Sequence, residues 1–269
     1  MVPDPSRPSL PGLYECLLSG HDCLPADRAA VAGLLEVDPG LRDLARANRE
    51  FVVKAARWTA AMLGVAQFAD IGCGFPQVPS VHGEVRGPRP GARIAYVDND
   101  PLVVCHVQSV AAEEGWGGGI AVVAGDAREP GKVLADAGLL EVIDLAVPAC
   151  VIFGATLSTM TAAEAREAVA GFTGRLAAGS AVIISCVSYR DPETAGRLAE
   201  VTGAAGEWHN HGLADVASFF GSLRIITGRA GDVHRWPMVP QVREVPAAVL
   251  GGVGIKGLVA SFRLKLLTA

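Results

Sequence analysis

The chain has 269 residues, half of them hydrophobic, and a formal net charge of -5. That length and composition suit one sizeable core, an α/β domain with an additional N-terminal segment rather than two full domains. The acidic balance provides no field for nucleic acid or an anionic membrane, so neither is expected as a partner.

Residues 1–12 carry four prolines and read as an extended arm. A short helical turn follows over 13–22, stopped at Gly20. Residues 27–36 and 39–64 read as helices. In the second, Leu41, Leu44, Ala45, Phe51, Val52, Ala55, Ala56, Thr59 and Met62 recur near a 3.6-residue period. Arg42, Arg46, Arg49, Lys54 and Arg57 lie mostly off that stripe and read as a solvated face. These elements set residues 1–64 apart as an arm and helical cap. Residues 65–269 form the second unit.

From Val65 the pattern becomes strand, helix, strand. Strands are predicted at 67–71, 93–97, 120–124, 146–154, 181–187 and 223–227. Val253 to Leu267 is the seventh. Helices are predicted at 79–85, 101–114, 131–137, 161–176, 191–202 and 213–220. Asp100 before Pro101 is an N-cap followed by proline in the first turn, and Thr161 with Glu164 is a capping box. The alternation predicts a mostly parallel, seven-stranded sheet with helices on both faces. The uncharged run 145–163 holds Pro148, Gly154 and several hydroxyls, and reads as a buried strand and loop rather than a membrane span.

Six cysteines stand at 16, 23, 73, 105, 150 and 186, with no C-x-x-C spacing and no histidine cluster that completes a metal site. Cys150 and Cys186 lie in apolar runs and look like buried thiols. The N-terminus has no apolar secretory region, so a reducing cytoplasm is the expected compartment.

The most informative stretch is Asp70-Ile71-Gly72-Cys73-Gly74, at the carboxyl end of the first strand. Glycine there lets the backbone turn sharply and a ligand approach closely. The second strand ends in Asp98-Asn99-Asp100-Pro101 and the third in Gly125-Asp126-Ala127. Asp70, Asp98 and Asp126 therefore line one crevice of a doubly wound sheet. An acid after the second strand suits the vicinal hydroxyls of a ribose, and an acceptor after the third suits the exocyclic amine of an adenine. A dinucleotide fingerprint fits less well. The third glycine of G-x-G-x-x-G is missing, and Pro76 and Pro79 interrupt the helix start that would bind a pyrophosphate. Three carboxylates and no anion hole favour a cationic sulfonium, S-adenosylmethionine, over NAD(P), whose oxidoreductase chemistry is the weaker alternative.

Longer runs carry a resemblance. They include Arg7-Pro8-Ser9, Tyr14 with Leu17-Leu18-Ser19-Gly20, Ala26-Asp27-Arg28, and Ala45-Arg46-Ala47-Asn48-Arg49-Glu50-Phe51. They continue through Phe68 to Pro76, Val81-His82, Tyr96-Val97-Asp98-Asn99-Asp100-Pro101, Phe219-Phe220, Arg235-Trp236 and Gly251-Gly252-Val253-Gly254. Together these resemble the actinobacterial S-adenosyl methyltransferase family, formerly a domain of unknown function, with the Rossmann-like class I fold. The resemblance implies a methyltransferase using S-adenosyl-L-methionine, a small-molecule methyl acceptor, and a cap over the cofactor; a homodimer is a further expectation. It further implies that Asp70, Gly72 and Gly74 contact the amino-acid part of the cofactor, that Asp98, with Asn99, holds the ribose, and that Asp126, with Ala127, meets the adenine.

Departures from the family pattern fall elsewhere. Ser19-Gly20-His21-Asp22-Cys23-Leu24 replaces the usual Gly-Gly-Lys-Asp-Asn-Phe, and Leu157-Ser158-Thr159-Met160 stands where relatives carry a histidine after the fourth strand. Tyr14, His21 and Ser158, with His82, are the catalytic candidates, each with a structural reading beside the chemical one. His209 and His211 lack a third metal ligand. The lost histidine sets a second expectation beside catalysis: a noncatalytic module that binds the cofactor.

Overall fold

The computed structural model describes residues 4, 6–18, 20–240 and 244–257. Five strands run parallel through its centre: β1 (Gln67–Ile71), β2 (Arg93–Asp98), β3 (Ile120–Ala124), β4 (Cys150–Gly154) and β5 (Ala181–Tyr189). β6 (Arg224–Ile225), β7 (Gly231–Asp232) and β8 (Ala247–Ile255) complete one eight-stranded sheet. Its order is β3-β2-β1-β4-β5-β8-β6, with β8 antiparallel to β5 and β7 paired to β8. The order reverses between β1 and β4, which opens a crevice at the carboxyl ends of the strands.

Strands buried on both faces read as unbroken apolar runs. Alternate residues serve different layers. Phe68, Ile152 and Ile183 pack with one set of helices, while Ala69, Val151, Phe153 and Ile184 pack with the other. The first layer holds α1 (Leu10–Leu18), α2 (Pro25–Val37), α3 (Leu41–Trp58), α4 (Val81–Arg86), α5 (Pro101–Glu113) and, further along the chain, Pro192–Thr202. The second holds α6 (Pro130–Val133), α7 (Ala137–Val142), α8 (Ala162–Arg175) and Leu213–Phe219. In chain order Pro192–Thr202 is α9 and Leu213–Phe219 is α10. Asp100 and Thr161 cap α5 and α8 as their sequence spacing predicts.

Several elements depart from the expectation. The proline-rich arm gives way to helix already at Leu10, because Asp27 accepts from the Ser9 amide (2.9 Å) and from the Leu24 amide (2.8 Å), tying the starts of α1 and α2 together. α3 ends at Trp58 in a π turn, Thr59–Leu63, and Gly64 closes it in the left-handed region at φ 71°. α7, capped by Asp136, and β7 were not anticipated, and β4 begins at Cys150 rather than 146. The last strand is β8, and residues 258–267 of the expected seventh strand lie outside the described residues. Its glycines mask it in sequence, yet they are what its position requires: a Cβ on Gly251 would lie 2.1 Å from the Ile184 carbonyl oxygen.

The cysteines also differ from the reading. Cys16 of α1 and Cys23 before α2 form a disulfide, whereas Cys150 and Cys186 are free, buried thiols as expected. Among the described residues no helix is long and apolar enough to cross a membrane, and no cluster of three or more His, Cys, Asp or Glu is placed to hold a metal.

Candidate active site

The carboxyl ends of β1–β5 and the helices α1–α3 enclose a cavity of about 1000 Å³. Asp70, Gly72, Gly74, Asp98, Asn99, Asp126, Ala127, Tyr14 and Ser158 all line it. His21 is exposed and, like His82, is not among its lining residues.

Asp70 and Asp98 share the strand parity that faces α3. Asp98 is buried and already organised: its Oδ2 accepts from the Gly74 amide (2.9 Å) and its Oδ1 from the Asp100 amide (3.0 Å). Burial nevertheless raises its pKa, against the pull of those bonds. Asp70 is only 5% exposed, and desolvation pushes its pKa to about 6; Arg49 pulls it down and Asp98 pushes it up. Asn99 donates to Asp126 (3.1 Å), whose other oxygen accepts from the Arg128 amide (2.8 Å).

The two glycines of the loop do different work. Both have left-handed backbones, φ 68° at Gly72 and 63° at Gly74. A Cβ on Gly72 would meet Thr156 Cγ2 at 2.5 Å, where the Thr156 hydroxyl donates to the Ile71 carbonyl (2.7 Å). A Cβ on Gly74 would meet nothing within 4 Å. Gly72 therefore admits the loop after β4, and Gly74 leaves open space over the acids. That β4 loop contains Ala155, the one non-glycine residue among those described with a left-handed φ, 63°. A conformation of this kind is costly and clusters at functional sites.

α3 contributes a part of the site that the sequence reading assigned to solvent. Asn48 donates to the Tyr14 hydroxyl (2.7 Å), which itself donates to the Ala45 carbonyl (3.2 Å). Asn48 Oδ1 and Arg49 Nε are buried and have no partner, although Arg49 also donates to the Pro79 carbonyl (2.7 Å). Both residues line the cavity beside Asp70. Such orphaned polar atoms are costly unless a ligand satisfies them. A buried carboxylate beside a guanidinium is a combination suited to a zwitterionic group. The only signal in the sequence was the Ala45–Phe51 run of the resemblance. Arg42, also read as solvated, instead caps α1 through the Cys16 (2.7 Å) and Leu17 (3.3 Å) carbonyls.

The remaining candidates have structural settings. Tyr14 is held by Asn48, and burial raises its pKa. Ser158 is buried with its hydroxyl beside the Cys186 thiol, and its carbonyl accepts from the His209 amide (2.7 Å). His82 pairs with the Tyr96 hydroxyl (2.8 Å) and lies against Trp116, and burial lowers its pKa to about 4. His211 is buried against the Leu157 and Met160 carbonyls (3.0 and 3.1 Å). Among the described residues no histidine lines the cavity.

The sequence profile of the S-adenosyl methyltransferases matches residues 3–257, nearly the whole chain. The chain belongs to this S-adenosyl methyltransferase family. It is thus an S-adenosylmethionine-dependent methyltransferase, and its cofactor is S-adenosylmethionine. The family decides against the dinucleotide alternative. Two solved structures are similar over almost their full length. A candidate methyltransferase of Thermobifida fusca is 27% identical at a TM-score of 0.84, over 94% of this chain and 96% of its own. A DUF574 family protein of Streptomyces avermitilis has the same identity and TM-score, over 94% and 99%. An O-methyltransferase family protein of Burkholderia thailandensis, at 14% identity and a TM-score of 0.50 over 88% of this chain and 61% of its own, shares the fold alone. Among curated proteins none matches.

Proposed function

We propose that this enzyme methylates a small molecule bound beside the cofactor, in the cavity between the sheet and helices α1–α3. The observation that carries the reading is the pair of buried, unpartnered polar atoms on Asn48 and Arg49 facing the acids of β1 and β2. When bound, S-adenosylmethionine supplies an electrophilic sulfonium methyl. Asp98, pre-set by Gly74 and Asp100, accepts from the ribose hydroxyls, with Asn99 beside it. Asp126 and Ala127 meet the adenine. Asp70, with Gly72 and Gly74, takes the amino-acid end, its carboxylate toward the ammonium, and Arg49 pairs with the carboxylate. Residues 1–64, the arm and cap, cover the cavity and add Asn48 and Arg49 to the cofactor site, and residues 65–269 carry its acids.

With no histidine on the lining among the described residues, rate enhancement here rests on proximity and orientation more than on a dedicated base. Tyr14 and Ser158 are the residues nearest a proton-handling role; His21 is placed away from it. The same observation keeps a second reading alive, that the chain binds its cofactor without turnover. Calorimetry with S-adenosylmethionine, followed by transfer of a labelled methyl group to an acceptor panel, separates the two. Binding with transfer supports the enzyme, binding without transfer to any acceptor supports the second reading, and no binding sinks both. We place the protein in the cytoplasm as a homodimer, a compartment whose reducing poise would hold Cys16 and Cys23 as thiols.

A further inference from the structure

We propose that the methyl acceptor is an uncharged, flat aromatic molecule held over the ends of β4 and β5 against Tyr189 and Trp208. The inference rests on the cofactor reading above, because it concerns the half of the cavity that reading leaves free. The acids stand at the ends of β1, β2 and β3. The other half lies over β4 and β5, walled by α1, α2, α9 and the chain that follows α9. A cavity of about 1000 Å³ sits at the upper end of the roughly 300–1,000 Å³ range of small-molecule sites, so it accommodates two ligands side by side.

The walls of that half are mostly apolar, with Leu13, Leu34, Val187, Leu198, Tyr189 and Trp208, and its polar side chains include the hydroxyls of the loop after β4 and of Thr202 rather than cations. Among the described residues no lysine lines the cavity. Its arginines are Arg7, exposed on the arm, Arg49, beside Asp70, and Arg128, which is committed to Asp126 and to the Thr159 carbonyl. A phosphorylated or carboxylated acceptor would therefore lose its hydration with no cation on β4, β5 or α9 to replace it. A cationic acceptor is no better served. The buried carboxylate of Glu15 is taken up by Gln77 and by the Asp22 amide (3.4 Å), and Glu207 is exposed.

The aromatic wall is fixed in advance. Tyr189, at the end of β5, is buried, and its hydroxyl donates to Asp38 (2.6 Å), so its polar end is already satisfied. Asn210 clamps the Tyr189 main chain from both sides, accepting from its amide and donating to its carbonyl, each at 2.8 Å. Trp208, two residues before that clamp, meets the Tyr189 ring edge to face, with centroids 6.2 Å apart at 75°. Two rings held at a fixed angle present one face and one edge, the arrangement a third aromatic ring packs into. Rigid aromatic anchors add affinity without much loss of side-chain freedom.

The test titrates 2-naphthol, as an uncharged aromatic probe, and mannose, as an uncharged polar one, into protein saturated with S-adenosylhomocysteine, followed by calorimetry. The inference expects naphthol to bind the native protein and mannose not to. Trp208→Ala should weaken naphthol binding by about tenfold or more, and Trp208→Phe by about threefold at most, with S-adenosylhomocysteine affinity unchanged in both. Equal naphthol affinity in Trp208→Ala, or tighter binding of mannose than of naphthol, overturns it. S-adenosylhomocysteine binding with no naphthol binding overturns this inference alone. Failure of S-adenosylhomocysteine to bind overturns the cofactor placement, and the acceptor placement with it.

Discussion

Asp70→Asn should make the ligand-free protein more stable and deprive it of its cofactor. Asp70 is nearly fully buried, and its pKa is raised from 3.8 to about 6, chiefly by desolvation. The excess of about two pH units corresponds to about 3 kcal/mol, at roughly 1.4 kcal/mol per unit. The sign follows from proton uptake. Above about pH 4 the unfolded chain has lost this proton, whereas the folded chain keeps it until about pH 6. Folding therefore binds a proton in that window, and stability falls as the pH rises through it. Above the window the full cost of a buried carboxylate is present. A neutral amide of the same shape removes that cost. For a chain of this size about 3 kcal/mol amounts to a melting point higher by several degrees. Thermal unfolding from about pH 4 to 8, with and without S-adenosylmethionine, reads both halves of the claim. The variant should melt higher than the native protein at neutral pH, differ from it little at about pH 4, and lose the ligand-induced rise. A neutral-pH melting point equal to or below the native one, or an undiminished rise with ligand, would refute the reasoning.

Arg49→Met should weaken S-adenosylmethionine binding about 10- to 150-fold, the worth of a charged hydrogen bond of about 1.5–3 kcal/mol. It should also move the loss of binding on acidification to higher pH, since Arg49 holds the Asp70 carboxyl down; calorimetry across that range checks both, and an unchanged constant and profile reject the carboxylate assignment. Asp98→Ala should weaken the cofactor by a similar factor and also lower the stability of the free protein by about 1–3 kcal/mol in urea denaturation, because the Gly74 and Asp100 amides lose their acceptor. Reducing the Cys16–Cys23 bond, whose partners are 7 residues apart, should cost about 2.5 kcal/mol by loop-closure entropy; a melting point unchanged by reductant, in protein shown by mass to be reduced, would count against the bond.

The parts of this structure that were readable in sequence are those where local chemistry and global position agree. β1, β2 and β3 are apolar runs with an acid in or within two residues of their carboxyl ends, and a parallel sheet covered by helices sets such runs side by side. Their carboxyl ends therefore bring Asp70, Asp98 and Asp126 together at one end of the sheet. β8 was misplaced because Gly251, Gly252 and Gly254 lower strand propensity; the close approach of β5 and the packing of Phe220 against Gly254, which require those glycines, are tertiary facts. Arg49 was hidden for a related reason. On a helix, an arginine off the apolar stripe reads as solvated, and only the position of α3 against the sheet turns that face toward a cavity.

That position of α3 also determines how the cap and the cofactor half depend on each other. Phe51, Val52, Ala55 and Ala56 share one apolar core with Phe68 of β1, Ile152 of β4 and Ile183 of β5. One turn away, Asn48 and Arg49 face the acids. The helix that anchors the N-terminal segment is thus the helix that supplies the polar atoms left without partners. α1 is joined to it through Tyr14 and Arg42, and α2 reaches the end of β5 through Asp38 and Tyr189. A displacement of α1 or α2 would therefore disturb the amino-acid end of the cofactor through Tyr14 and Asn48, and the aromatic wall through Asp38. Ordering of the cap is in this way coupled to both ligands by direct contacts, with no separate hinge required.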